Sequence, residues 1–248
     1  MDPLLLQVLV VAVISDLATG LGALPFALMP TLSSRWEGLA NAFAAGMMLS
    51  ASVFTLADKA LQRGSAAEVV LGLAAGAAFC AGTSHLVGRM NWTIEHLTGA
   101  DARRAVVILV AMFVHSIPEG VAIGVGYATG ELKYGLLLGV AIAVHNIPEG
   151  AAVALPLRAK GISVTACAGY AILTSLPQPV FAVPAFLLVE TFQRLLPASL
   201  GFAGGAMIYL VAAEMLPESI RKCPPLETAG GVLAGLAAMF WLTSGMGL

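Results

Sequence analysis

Runs of about twenty or more apolar residues follow one another along nearly the whole chain, separated by short connections where Pro, Gly and charge cluster. An α-helix rises about 1.5 Å per residue, so about 20 apolar residues cross a hydrocarbon core. Within that core every backbone polar group needs an internal partner, which leaves helices and closed barrels as the spanning structures. Runs of this length read as helices. Eight result, with limits near residues 4–30, 38–61, 66–88, 104–127, 132–156, 162–189, 198–217 and 227–247. The expected fold class is therefore all-α: a polytopic membrane protein of eight transmembrane helices, in one domain over residues 1–248.

Composition agrees, because only 10% of residues are charged against about 25% in soluble domains, and 59% are hydrophobic. The lipid bilayer is the main partner. A net charge of −2 supplies no basic field for nucleic acid. Cys80, Cys167 and Cys223 are too few and too scattered for a disulfide framework or a Cys-x-x-Cys site, and read as small packing residues. The first run follows Asp2 rather than a basic stretch and lacks a small-residue cleavage pattern, so it reads as a span and not a removed signal peptide.

Of the twelve basic residues, eight fall in odd-numbered loops: Arg35, Arg89, Arg103, Arg104, Arg158, Lys160, Arg221 and Lys222. Lys59, Arg63, Lys133 and Arg194 edge the even-numbered loops. Basic residues favour the cytoplasmic side, which puts both termini outside a plasma or inner membrane. Trp36, Trp92 and Trp241 sit where interfacial aromatic anchors are expected. Small residues spaced by four recur at Gly72 and Gly76, Gly120 and Gly124, Gly201 and Gly205, and Gly231 and Gly235, a spacing that favours tight static helix packing.

The chemistry lies in a repeated motif. Val114-His115-Ser116-Ile117-Pro118-Glu119-Gly120 returns thirty residues later as Val144-His145-Asn146-Ile147-Pro148-Glu149-Gly150. In each copy His and Glu are four apart, so they stack on one helix face. The connection around Gly130 to Lys133 makes the two helices antiparallel neighbours, and the expectation is that His115, Glu119, His145 and Glu149 converge near the bilayer centre. Imidazole nitrogen and carboxylate oxygen suit divalent first-row metals, and two carboxylates neutralise one such ion. Pro118 and Pro148 remove the usual helix partners of the Val114 and Val144 carbonyls. Gly120 and Gly150 remove bulk at the same level, which suits a solvated pocket. One intramembrane His or Pro is commonly structural, but two copies, each placing a Glu at mid-span at a cost of about 3 kcal/mol, point to function.

At these residues the chain resembles the prokaryotic branch of the ZIP family of metal ion transporters. The resemblance extends to Ala18-Thr19-Gly20-Leu21-Gly22-Ala23-Leu24-Pro25 in the first span and Ala44-Ala45-Gly46-Met47-Met48-Leu49 in the second. In the seventh it takes in Gly204-Gly205-Ala206-Met207-Ile208-Tyr209 and Glu214 through Pro217-Glu218. It implies an inverted repeat of helices 1–3 and 6–8 around helices 4–5, and divalent metal transport toward the cytoplasm by elevator-type alternating access. The metal, Zn2+ first and Fe2+, Mn2+, Co2+ or Cd2+ as alternatives, is transported substrate; no prosthetic group is expected. His115, Glu119, His145 and Glu149 map onto the family's main site, with Met48 as a thioether that approaches the same ion. Ser116, Asn146 and Gln178 stand where a second metal position is often built; none is a carboxylate, so one high-affinity ion is expected.

Asp16, Asp58 and Glu214 are candidate pathway acids. His85 and His96 are isolated from the motif. The rival reading is an intramembrane zinc-dependent hydrolase, disfavoured because the order His-Glu-x-x-His is absent and no further acid is free to act as general base, so the chain reads as a transporter and not an enzyme. Homodimer formation is left open by the residues.

Overall fold

A computed structural model describes residues 3–28, 33–89, 100–159 and 161–246. Trp92, His96 and Lys160 of the sequence reading lie outside them, and the side chains of Arg103 and Arg104 are likewise not described. Among the described residues eight helices are long and apolar enough to cross a membrane. They are α1 (Pro3–Leu28), α2 (Ser34–Arg63), α3 (Ala66–Val87), α4 (Leu109–Ala128), α5 (Leu132–Arg158), α6 (Val164–Thr191), α7 (Gln193–Lys222) and α8 (Pro225–Gly245). No strand occurs among them.

Several spans carry internal irregularities with local causes. α6 stops at Ser175 and restarts at Pro177, a residue without an N–H to continue the first helix. α2 passes through a π-helical segment at Ala51–Ala57, and α7 through another at Val211–Met215. Such segments insert a residue into the helical repeat and are frequent at functional sites. The two π segments fall on helices that an inverted repeat pairs, α2 with α7. The same relationship appears in packing: α3 lies on α7, while α8 lies on α2. The outer helices α3 and α8 are the least buried spans.

Close backbone approaches divide the helices into two groups. A Cβ on Gly124 would meet the α6 backbone at Ala182, and one on Gly150 would meet the α1 backbone at Thr19. On the other side, a Cβ on Gly76 would meet Phe202 of α7, and one on Gly235 would meet Phe43 of α2. Every such approach among the described glycines joins helices within α1, α4, α5 and α6, or within α2, α3, α7 and α8. Small residues therefore weld each four-helix group internally. The surface between the groups includes apolar packing, with Met47 and Ala51 of α2 and Met239 of α8 against Ala141 of α5.

The even-numbered connections share one face of the bundle, here the turn face, named for the α4–α5 turn at Gly130. There Lys59 and Arg63 of α2 both pair with Glu131. The described helix ends that lead into the odd-numbered connections share the opposite face, where Arg35 pairs with Glu227 and Lys222 pairs with Glu37 and Glu218. Trp36 and Trp241 are both exposed, as interfacial anchors are.

Candidate metal centre

Glu119, His145 and Glu149 come together at mid-bundle, each offering a ligand atom within 4.8 Å of the others. All three are buried, Glu119 and His145 completely. His145 Nε2 lies 3.1 Å from Glu119 Oε1, and Gln178 Nε2 donates to Glu119 Oε2 at 2.6 Å. Glu149 Oε2 and His145 Nδ1 have no hydrogen-bond partner. Two ionised carboxylates at this separation would repel by roughly 3 kcal/mol at an effective dielectric near 20, a cost that a cation bound between them would offset.

The motif glycines explain how neighbouring helices reach the cluster. A Cβ on Gly120 would strike the backbone of Gln178, so its absence lets α6 close in until Gln178 touches Glu119. Gly150 does the same for α1 at Thr19, and one turn earlier Asn146 Nδ2 donates to both the carbonyl and the hydroxyl of Ser15 at 3.0 Å. The space that the sequence suggested for a solvated pocket is thus filled by backbone from α1 and α6. Thr19 donates to Ser175 at 2.8 Å, adding a further buried polar link between α1 and α6.

His115 departs from the expected four-donor convergence. Its Nε2 sits 3.2 Å from Glu214 Oε2 of α7, although neither ring nitrogen is aligned for a hydrogen bond. Ser84 of α3 donates to the other Glu214 oxygen at 2.6 Å. His115 and Glu119 still share a face of α4, but His115 is one turn nearer the odd-loop face, at the head of a cavity of about 350 Å³. That cavity runs from Glu37, Arg221 and Lys222 inward to His115 and Glu214, and reaches Ala152 and Val153, the turn after Glu149. A second cavity of about 200 Å³ shares His115 and Glu214 and is lined by Val114 and Ser84.

The remaining sequence candidates are placed as follows. Asn146 and Gln178 join the cluster through the hydrogen bond from Asn146 Nδ2 to Gln178 Oε1 at 3.1 Å, whereas Ser116 donates to its own helix at Met112. Met48 is buried in the same apolar core as Leu138 and Ile142 of α5, three residues before the π segment of α2 begins at Ala51. Asp16 is buried beside Ser15, with Oδ1 unpartnered. Asp58 lies at the turn face and accepts from Gln62 at 2.7 Å. Ser84 escaped sequence reasoning, since a serine in an apolar run has no local mark of what it will touch.

The family model described as ZIP Zinc transporter matches residues 93–248. This chain belongs to the ZIP family. A further ZIP-family likeness is to the zinc transporter GufA of Myxococcus xanthus, 34% identical over 250 residues that cover 96% of this chain and 98% of that protein. The zinc transporter ZIPB of Bordetella bronchiseptica is 36% identical over 244 residues, covering 93% of this chain and 78% of its own length. A longer Arabidopsis thaliana protein, described as a candidate zinc transporter, is 42% identical over 226 residues; these take in 90% of this ZIP chain but 36% of the plant protein.

Proposed function

We propose that this chain moves divalent metal ions, Zn2+ first among them, across a cell membrane toward the cytoplasm. The observation that carries the reading is the buried meeting of Glu119, His145 and Glu149 inside membrane-spanning helices. Two carboxylates and an imidazole neutralise and coordinate one borderline divalent ion in place of its water shell. Membership in a family of zinc transporters, and relatives named as such, support zinc over other metals.

In this reading His115 and Glu214 form a way station at the head of the odd-loop cavity, one helical turn from the main cluster. Basic residues concentrate on odd loops, which supports a cytoplasmic cavity face and extracytoplasmic termini. The conformation is then one that releases metal inward. The two welded helix groups support an elevator-type exchange in which α1, α4, α5 and α6 carry the site past α2, α3, α7 and α8. Met48 is the thioether candidate from the second group, and Asp16 the nearest further buried acid on α1.

The test is protein-dependent, saturable Zn2+ influx into proteoliposomes holding an internal metal-sensitive dye, with Glu149→Ala as the inactive control. Robust influx by Glu149→Ala would overturn the site. Hydrolysis of a membrane substrate without any metal flux would favour the hydrolase.

A further inference from the structure

The two helix groups touch differently at their two faces. At the rim of the odd-loop face, the ion pairs among the described residues join helices of one group only, Arg35 to Glu227 and Lys222 to Glu37 and Glu218, while deeper in the cavity His115 of α4 approaches Glu214 of α7 across the groups. There the groups stand apart around the cavity of about 350 Å³. At the turn face, the charged contacts cross between groups. Lys59 Nζ of α2 reaches Glu131 Oε2 at 2.6 Å, and Arg63 of α2 takes the other Glu131 oxygen. The same ammonium lies 4.9 Å from the centroid of the Tyr134 ring, and the Tyr134 hydroxyl donates to the Thr55 carbonyl at 2.8 Å.

That last carbonyl is significant. Thr55 lies in the π segment of α2, where the backbone leaves the ordinary helical ladder, and Tyr134 supplies it with an external donor. Below Tyr134, α5 presents Leu138 and then Ile142, both fully buried in one core with Met48 and Leu56 of α2, before His145 is reached. The turn face is thus closed in two layers, a charged rim over an apolar plug. The polar pocket of about 220 Å³ at this rim is lined by Thr55 and Tyr134 along with Asp58, Lys59, Glu131 and Lys133.

We infer that Glu131 and Tyr134, held by Lys59, Arg63 and the Thr55 carbonyl, form a latch that fastens the α4–α5 hairpin to α2 and must release before a metal ion can enter from the turn face. The inference rests on the transport reading for its purpose, but the latch itself is a conformational claim. Glu131 terminates the Gly130 turn and touches both basic residues, so it is the one group whose loss frees Lys59 and Arg63 together. Exposed ion pairs are individually weak, which suits a contact that breaks on every cycle.

The test uses the full chain in liposomes with two readouts. Thr55→Cys retains the backbone carbonyl and places a thiol at the floor of the rim pocket, while native Cys80, Cys167 and Cys223 are all buried. Adding Glu131→Gln should make a membrane-impermeant maleimide label that thiol about threefold faster or more. Lys59→Met, which opens the latch from the other side, should do the same. In the second readout, the pair Lys59→Cys with Glu131→Cys is bridged by a bis-methanethiosulfonate long enough to span a Lys–Glu ion pair; Zn2+ influx should stop and return on reduction. Unchanged labelling in both single variants would overturn the inference, as would influx through the cross-linked protein at the reduced rate, or a folded pair that fails to cross-link. Labelling needs no metal, so absence of Zn2+ influx in every protein would sink the transport reading while the latch was still decided.

Discussion

Gln178 turns its amide nitrogen, not its oxygen, toward Glu119, and a chain of hydrogen bonds from α1 dictates that direction. The Ser15 carbonyl can only accept, so the Asn146 side chain must present its NH2 group there. The same NH2 faces Gln178, which must answer with Oε1, leaving Nε2 to donate to Glu119 Oε2 at 2.6 Å. A donor therefore occupies Glu119 Oε2, where a cation approaching that oxygen from α6 would meet an amide hydrogen instead of a lone pair.

One tight equivalent of Zn2+ is expected by equilibrium dialysis of the purified protein. Gln178→Glu should admit a second equivalent, whereas Gln178→Leu should keep one and bind it about tenfold more weakly, the usual scale for losing a group that orients a metal ligand. Two tight equivalents in the wild-type protein would contradict the hydrogen-bond argument.

Replacing His145 or Glu149 by Ala should lower Zn2+ influx by about tenfold or more while leaving membrane insertion intact. Each contributes an atom to the buried cluster. Retained influx with unchanged affinity in either variant would remove these residues from the pathway.

His115 and Glu214 belong to the head of the cavity, so their loss should separate rate from binding. Glu214→Ala is expected to slow release into the side bearing Lys222, with the wild-type affinity for one Zn2+ nearly preserved. The check is to measure influx and equilibrium binding on the same preparation; a parallel loss of both would put Glu214 in the main site.

Glu131 lies outside the spans, where the hydrogen bond from Lys59 leads the effects that hold its carboxyl below the ordinary value of 4.5. A carboxyl depressed in the folded state contributes stability above its unfolded value, and that contribution fades as pH falls through the lowered folded value. Melting temperatures of wild type and Glu131→Gln should accordingly differ slightly at pH 7 and converge below about pH 4.5. Lys59, Arg63, Lys133, Tyr134 and Asp58, the other groups at this rim, are common to both proteins and cancel in the comparison. A difference that grows on acidification would refute the latch energetics.

Gly124→Val should destabilise the detergent-solubilised protein by about 1–3 kcal/mol, because its Cβ would press on the Ala182 backbone. Gly169→Ala, whose added carbon meets nothing within 4 Å, should melt with the wild type. Equal melting of both variants would show that the four-helix groups are not welded by these glycines.

The span limits read from hydropathy fall within a few residues of the helices except at α2 and the two ends of α7. Hydropathy predicts the seventh span over residues 198–217, whereas the helix extends over Gln193–Lys222, its last turn carrying ion pairs from Arg221 and Lys222 to Glu218. The repeated motif marked Glu119, His145 and Glu149 because four-residue spacing is a property of one helix. It also led to an expected place for His115 that the structure does not give, since the partner that draws it away, Glu214, lies on α7.

What this sequence determines by itself is periodic and local: how many apolar runs can cross a bilayer, and which His and Glu share a helix face. Tertiary structure decided everything that depends on which helices are neighbours. It turned Gly120 and Gly150 into seats for α6 and α1, oriented the Gln178 amide through Ser15, and brought Lys59 and Arg63 onto Glu131 about seventy residues away. The physical reason is that lipid is as apolar as the side chains facing it, so hydrophobicity places a helix in the membrane but does not choose its partner; close packing and polar contacts do.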